Sequence, residues 1–282
     1  MMKKLFLLLF FIGGLFLIIH SNTTWFVFGG NGSSAEVSNK VDKIELDISG
    51  ASTKIVPENT DQVRAELEGK GKVVVTENGD TIKVESKSQK WFNLFSMFNK
   101  TEITIYIPED YQKELIIDSG SGNVSFNGQS KMKLNSLMIN MSSGNVQISK
   151  VTANDLELDG SSGNVNLSSV STKSGIFDMS SGNLTIKEHT GKVEADLSSG
   201  KINLEMNKLI DSIDVEINSG LATINLPSNA DFTLNGSIGS GHISSDFDLK
   251  ELQKNSDQMY GVYGSGKHQV NIDVSSGKVD IN

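Results

Sequence analysis

Residues 137–148 read LMINMSSGNVQI, from Leu137 to Ile148. Leu137, Ile139 and Met141 alternate with polar residues, a Ser-Ser-Gly-Asn corner follows, and Val146 and Ile148 resume the alternation. Period-two alternation predicts a strand with one buried face. Glycine between two such strands supplies backbone angles that a residue with a side chain resists. The same register recurs with Leu156, Leu158 and Gly160 before Gly163, and with Val193, Ala195 and Leu197 before Gly200. It returns with Ile213, Val215 and Ile217 before Gly220, and with Val270, Ile272 and Val274 before Gly277. Corner glycines Gly122, Gly144, Gly163, Gly182, Gly200, Gly220 and Gly241 follow one another at 18 to 22 residues, a period that marks a repeat architecture. A unit of two short strands cannot bury its own apolar face and must stack on its neighbours. The expected fold is therefore all-β, a parallel-β-helix-like β-solenoid of roughly 20-residue two-strand repeats. An antiparallel meander folded into a β-sandwich stays open, because local alternation is the same whether successive units run parallel or antiparallel.

The 282 residues are 37% hydrophobic and 21% charged, a globular rather than a disordered composition. A net charge of -9 argues against a nucleic-acid partner, which would call for a clustered basic surface. The chain has no cysteine, which excludes a disulfide framework, cysteine-ligated zinc and a lipid-modified cysteine anchor.

Residues 1–28 read as an N-terminal transmembrane signal-anchor. Lys3 and Lys4 precede an apolar run from Leu5 to Ile19, and Trp25, Phe26, Val27 and Phe28 follow an uncharged interval. Lysines at the start place the N-terminus in the cytoplasm and the rest outside, and the aromatics suit a membrane interface. A cleaved signal peptide with Ser33-Ser34-Ala35 as its small-residue site competes, but that site lies well beyond the apolar core. Residues 29–40 read as a flexible linker. A first β region with less regular repeats is expected over 41–110, and a regular β-repeat solenoid over 111–282.

All three prolines, Pro57, Pro108 and Pro227, are followed twelve residues later by a Gly-x-Gly: Gly69/Gly71, Gly120/Gly122 and Gly239/Gly241. Proline suits a strand end because it donates no ladder hydrogen bond, so 41–110 is expected to share the architecture of the later repeats. One insertion interrupts it. Residues 87–100, KSQKWFNLFSMFNK, carry Trp91, Phe92, Leu94, Phe95, Met97 and Phe98 between lysines 87, 90 and 100. On a helix Trp91, Leu94, Phe95 and Phe98 would share a face, serving either as a cap on the solenoid or as a membrane or partner finger. Residues 250–263 read as a polar loop or short helix.

With the anchor, the Ser-Ser-Gly-Asn corners and the stretches ITIYIPEDYQKELIIDSGSGNVSF and ATINLPSNADFTLNGSIGSGHISSDF in view, the chain resembles the bacterial repeat-containing "putative adhesin" family of unknown biochemical function. Over its whole layout it is similar to the membrane-anchored LiaG type. The resemblance implies an extracytoplasmic β-repeat protein of a Gram-positive envelope, linked to envelope stress response, and carries over no catalytic residue.

If the units stack in register, equivalent positions form columns about 4.8 Å apart per rung. Four residues before each corner glycine stand Asp118, Asn140, Asp159, Asp178, Asp196, Glu216, Ser237 and Asp273. Stacked like charges are unfavourable, so this stripe, with Asp159, Asp178, Asp196 and Glu216 at its centre, invites cations or a basic partner; the bland reading is a solvated face. One residue after the corner glycine, Asn123, Asn145, Asn164 and Asn183 predict a hydrogen-bonded ladder. Residues 261–268, GVYGSGKH, nearly spell a phosphate-binding loop, but His268 stands where Ser or Thr should be and a strand follows, so no nucleotide is expected. His20, His189, His242 and His268 lack paired ligand spacing, and no metal or cofactor is expected. The functional expectation is a non-enzymatic envelope scaffold or binding module, in contact with its own membrane and with cell-wall polymer or envelope membrane proteins. A membrane-stress sensor using 87–100 is the alternative. A carbohydrate-active β-helix enzyme would need a clustered Asp/Glu/Arg/Trp cleft that the sequence does not display.

Overall fold

The computed structural model describes residues 32–69, 71–87, 101–129 and 132–282, and these hold nineteen strands and no helix. The first seven are β1 (Gly32–Glu36), β2 (Lys43–Ile48), β3 (Ala51–Glu58), β4 (Gln62–Glu68), β5 (Lys72–Asn78), β6 (Thr81–Lys87) and β7 (Glu102–Pro108). The body follows with β8 (Glu114–Ser119), β9 (Gly122–Asn127), β10 (Lys133–Met141), β11 (Asn145–Gly160), β12 (Asn164–Met179), β13 (Asn183–Lys208) and β14 (Ile213–Asn225). Then come β15 (Phe232–Ile238), β16 (His242–Ser245), β17 (Lys250–Lys254), β18 (Gln258–Tyr263) and β19 (His268–Ile281).

The body is a solenoid, as the repeat predicts, and its successive coils run parallel. Each coil lays one strand on a first face, turns at its corner glycine and lays a second strand on a second face. On the first face Ile117, Ile139, Leu158, Phe177, Ala195 and Val215 stand side by side, all buried. On the second, Val124, Val146, Val165 and Leu184 do the same. The core is one continuous hydrophobic cluster along the axis, the arrangement expected where each repeat buries its face against the next. Size is matched across it: a side chain at Gly160 would collide with Met179 Sδ at 2.2 Å, so the small residue of one coil makes room for the large residue of the next.

The corners stack too. At Gly163 φ is +113°, and a Cβ there would lie 2.4 Å from the carbonyl oxygen of Gly144 in the preceding coil. The corner glycine thus answers to two demands, a left-handed backbone and direct contact between coils. At the opposite corner three successive coils hold residues with side chains in that region, Lys150 (φ 56°), Ser169 (φ 52°) and Glu188 (φ 54°).

Neither end follows the order of the chain. β2 lies between β6 and β8, and β3 between β7 and β9, so the 43–58 coil is inserted one place inward. At the other end β19 lies between β14 and β15 on the first face and between β14 and β16 on the second. Antiparallel pairs occur among the described residues only at these ends: β1 with β4, β4 with β7 and β5 with β6, then β15 with β18 and β17 with β18. The meander reading is therefore corrected for the body and survives only in the caps. At the far end Phe232, Phe247 and Tyr263 pack together, with Phe247 and Tyr263 centroids 4.7 Å apart.

Two sequence readings are overturned. Within 29–40, read as a linker, Gly32–Glu36 is a strand paired antiparallel to β4, with Ser33 Oγ accepting from Val75 N at 3.0 Å. Residues 250–263, read as a polar loop or short helix, form the β17–β18 hairpin because Met259 and Gly261 alternate inward beside β15. The anchor over 1–28 lies outside the described residues, as do Trp91, Phe92, Leu94, Phe95 and Phe98. Among the described residues no helix is long and apolar enough to cross a membrane. In sequence the 87–100 insertion falls between β6 and β7.

Candidate functional site: an acidic sheet face

The stripe exists, and it is longer than the spacing predicted. Pairing places Glu85, Asp47, Asp118, Asn140, Asp159, Asp178, Asp196, Glu216, Asp273 and Ser237 in one column across the first face. Glu85 and Asp47 were not legible as members, because only the inserted β2 coil brings them beside Asp118. A second column two residues back adds Glu45, Glu157, Glu194 and Asp214 on the same outward side.

Compensation is uneven. At one end Lys83 Nζ reaches Glu45 at 2.8 Å, Asp47 at 3.5 Å and Glu85 at 3.5 Å. The hydrogen bond to Glu45 leads in raising the Lys83 pKa, against partial desolvation. Asn140 Nδ2 donates to Asp118 at 2.6 Å. Among the described residues the centre has no such partner: desolvation, then the neighbouring Asp196 and Asp159 carboxylates, push the Asp178 carboxyl pKa up. Further along, Asn271 Nδ2 donates to Asp214 at 2.6 Å, and Asn235 Nδ2 to Asn271 at 2.9 Å.

The face is a trough rather than a cleft. One depression in it, of about 840 Å³, is lined by Glu194, Asp196, Asp214, Glu216, Asp273 and Tyr260 among others, together with Lys192. Tyr260 and Gln258 come from the β17–β18 hairpin, and no sequence signal placed them there. A smaller depression of about 400 Å³ joins Asp47, Asp118, Asn140 and Asp159 to the corner serines Ser49, Ser142 and Ser161. Among the described residues no group of three or more His, Asp or Glu side chains converges to hold a metal ion. Strand pairing holds the carboxylates in a row.

Over β9, β11 and β12 the outward residues of the second face are polar and uncharged. Asn145 Nδ2 donates to Asn123 Oδ1 at 2.8 Å, Asn164 to Asn145 at 2.9 Å and Asn183 to Asn164 at 2.8 Å, the predicted ladder. Beyond it the ladder position is held by Lys201, Leu221, Lys278 and His242 in that spatial order, beside the separate stack of corner glycines Gly200, Gly220, Gly277 and Gly241.

The near-match to a phosphate loop has a different purpose. Ser265 N and Lys267 N donate to Asp231 Oδ1 at 2.8 and 2.9 Å, and Ser265 Oγ donates to Asp231 Oδ2 at 2.7 Å. The backbone amides that would cradle a phosphate already hold a carboxylate, and these hydrogen bonds keep the Asp231 pKa below the usual carboxylate value. Of the histidines, His189 is fully buried, its Nε2 3.4 Å from Thr172 Oγ1 and its Nδ1 without a hydrogen-bond partner. Burial lowers its pKa to about 4 against the opposing carbonyls of Lys192 and Val170.

No curated protein sequence matches the chain. Solved structures share the fold, these two among them. One is described as a "putative adhesin" from Bacteroides fragilis NCTC 9343, with 16% identity over 89% of this chain and 96% of its own, at a TM-score of 0.53. The other, a "putative adhesin" from Parabacteroides distasonis ATCC 8503, has 16% identity, the same two coverages and a TM-score of 0.54. A sequence profile described as Toastrack DUF4097 matches residues 41–282, every strand from β2 to β19 and the acidic face with them, and the chain belongs to that Toastrack family.

Proposed function

We propose that this protein is a non-enzymatic binding or scaffold module of the cell envelope, outward-facing and held by residues 1–28, of the LiaG type and acting in the response to envelope stress. The observation that carries the binding reading is the acidic column across the first face, whose central carboxylates lie in a row without basic partners among the described residues. A row of like charges at strand spacing is complementary to an extended partner bearing ammonium or guanidinium groups, and opposite charge on a partner would relieve the repulsion. Wall polymer carrying amines, or a basic segment of an envelope membrane protein, has that chemistry. The fold relatives described as adhesins accord with a surface-contact role.

The test is co-sedimentation of residues 29–282, which retain β1, with purified cell wall and separately with anionic liposomes. Wall binding that falls at least tenfold when Asp159, Asp178, Asp196 and Glu216 are all changed to lysine supports the reading; wall binding indifferent to that change sinks it.

The sensor reading is favoured by a different observation. β1, where the described chain begins, and the β6 and β7 termini that flank the 87–100 insertion belong to the same end of the solenoid. An anchor at 1–28 and the aromatic insertion would then meet the same membrane. Liposome binding abolished by serine at Trp91, Phe95 and Phe98, with the melting temperature unchanged, would support the finger.

A further inference from the structure

The inserted β19 coil poses a choice that the body coils never face. In the body each coil stacks on its successor in sequence, 18 to 22 residues on. The coil at 232–245 is spaced to do the same: Ile213 and Leu234, Ile217 and Ile238, and Ala222 and Ile243 are each 21 residues apart. Their inward register agrees as well, since Val270, Val274 and Val279 of β19 lie between those pairs. β14 and β15–β16 are therefore matched to each other, yet a strand from 57 residues beyond β14 separates them, as Ile213 beside Val270 shows.

β19 reaches this slot by a crossing. β18 lies antiparallel on one side of β15 and β19 parallel on the other, so residues 264–267 must pass over the start of β15. The crossing has two left-handed glycines, Gly264 (φ 72°) and Gly266 (φ 76°), and the Asp231 carboxylate immediately before β15 clips it through Ser265 and Lys267. His268 N also donates to the Asp231 carbonyl at 3.0 Å.

We infer that the 268–281 coil is exchangeable, and that the slot between β14 and β15–β16 accepts it from a second copy of this chain as well as from its own. An exchanged dimer keeps every β19 contact of the monomer, because the donor sequence is identical, so the two states differ mainly in the crossing and in association entropy. Opening is eased because β14 and β15 can pair directly behind a departing coil, which leaves no pair of unpaired edges. The Asp231 clip opposes opening.

The chain has no cysteine, so introduced thiols report cleanly. Full-length Glu216→Cys and Asp273→Cys chains are mixed, incubated at 37 °C under reduction and then oxidised. In an exchanged dimer residue 216 of one copy sits beside residue 273 of the other, about 4.8 Å away and within disulfide reach. Expected is a heterodimer yield at least fivefold above that of an Asp159→Cys chain mixed with the Asp273→Cys chain, and reached at least fivefold faster when both carry Asp231→Ala. A chain with both Glu216→Cys and Asp273→Cys should close its disulfide internally, in the Asp231→Ala background too, which establishes register and folding. Yields no higher than the mismatched pair, with that internal disulfide intact, overturn the inference. Exchange that Asp231→Ala leaves unaccelerated overturns the clip. Should Asp231→Ala fail to close the internal disulfide, Ser265→Ala replaces it.

Discussion

At His189 an imidazole occupies an inward position that Val151 and Val170 hold in the two preceding coils. Its folded pKa, about 4, lies below the ordinary value of 6.5, so between these values the unfolded chain binds a proton that the folded chain refuses. Stability is complete above pH 6.5 and is lost as pH falls toward 4, by on the order of 2 kcal/mol at pH 5. Chemical denaturation of His189→Val should show that loss removed, with wild type and variant converging above pH 7 apart from the gain from losing an orphaned nitrogen. Gly163 makes the opposite case, since there the backbone and not the side chain carries the constraint. Gly163→Ala should cost about 3 kcal/mol or more, because the methyl meets the Gly144 carbonyl and cannot relax without displacing a coil. A melting-temperature drop of only a degree or two would contradict that packing.

The acidic column is a property of aligned strands, and its prediction follows from alignment. Asp178 has its pKa raised, so its ionised form is disfavoured by folding; the cost is present at neutral pH and is relieved as pH falls through the raised value. Asp178→Asn should stabilise the protein at pH 7 by about 0.5 kcal/mol, as expected for removing a charge that stands between the like charges of Asp159 and Asp196. The gain should shrink in 1 M sodium chloride, where the Debye length is about 3 Å, and thermal melts at low and high salt read it directly. The stripe and the asparagine ladder were legible because one residue per repeat, at fixed distance from the corner glycine, reveals a column once the period is known. Lys83 was not, because its carboxylate partners Glu45 and Asp47 lie on another strand whose neighbour no local pattern names.

Across the whole molecule, pairing distance along the chain divides body from ends. Body coils pair with partners one repeat away, whereas β2 pairs with β8 at Lys43 and Glu114, and β19 with β14 at Val270 and Ile213. Closing longer loops costs more entropy before any contact rewards it. Pulsed hydrogen exchange during refolding should therefore protect amides of 137–217 before those of β2, β3 and β19; simultaneous protection would show that the inserted coils form with the body. The alternation and the corner glycines by themselves determined strands, their inward faces and the repeat, since these depend on residues within one turn of chain. Parallel stacking, the order of the end coils, the hairpin cap and the carboxylate seated in the Gly-rich crossing were decided only by tertiary structure. Their physical reason is shared: an apolar strand face fits any neighbour of the same register, and the choice among such neighbours rests on pairings dozens of residues apart.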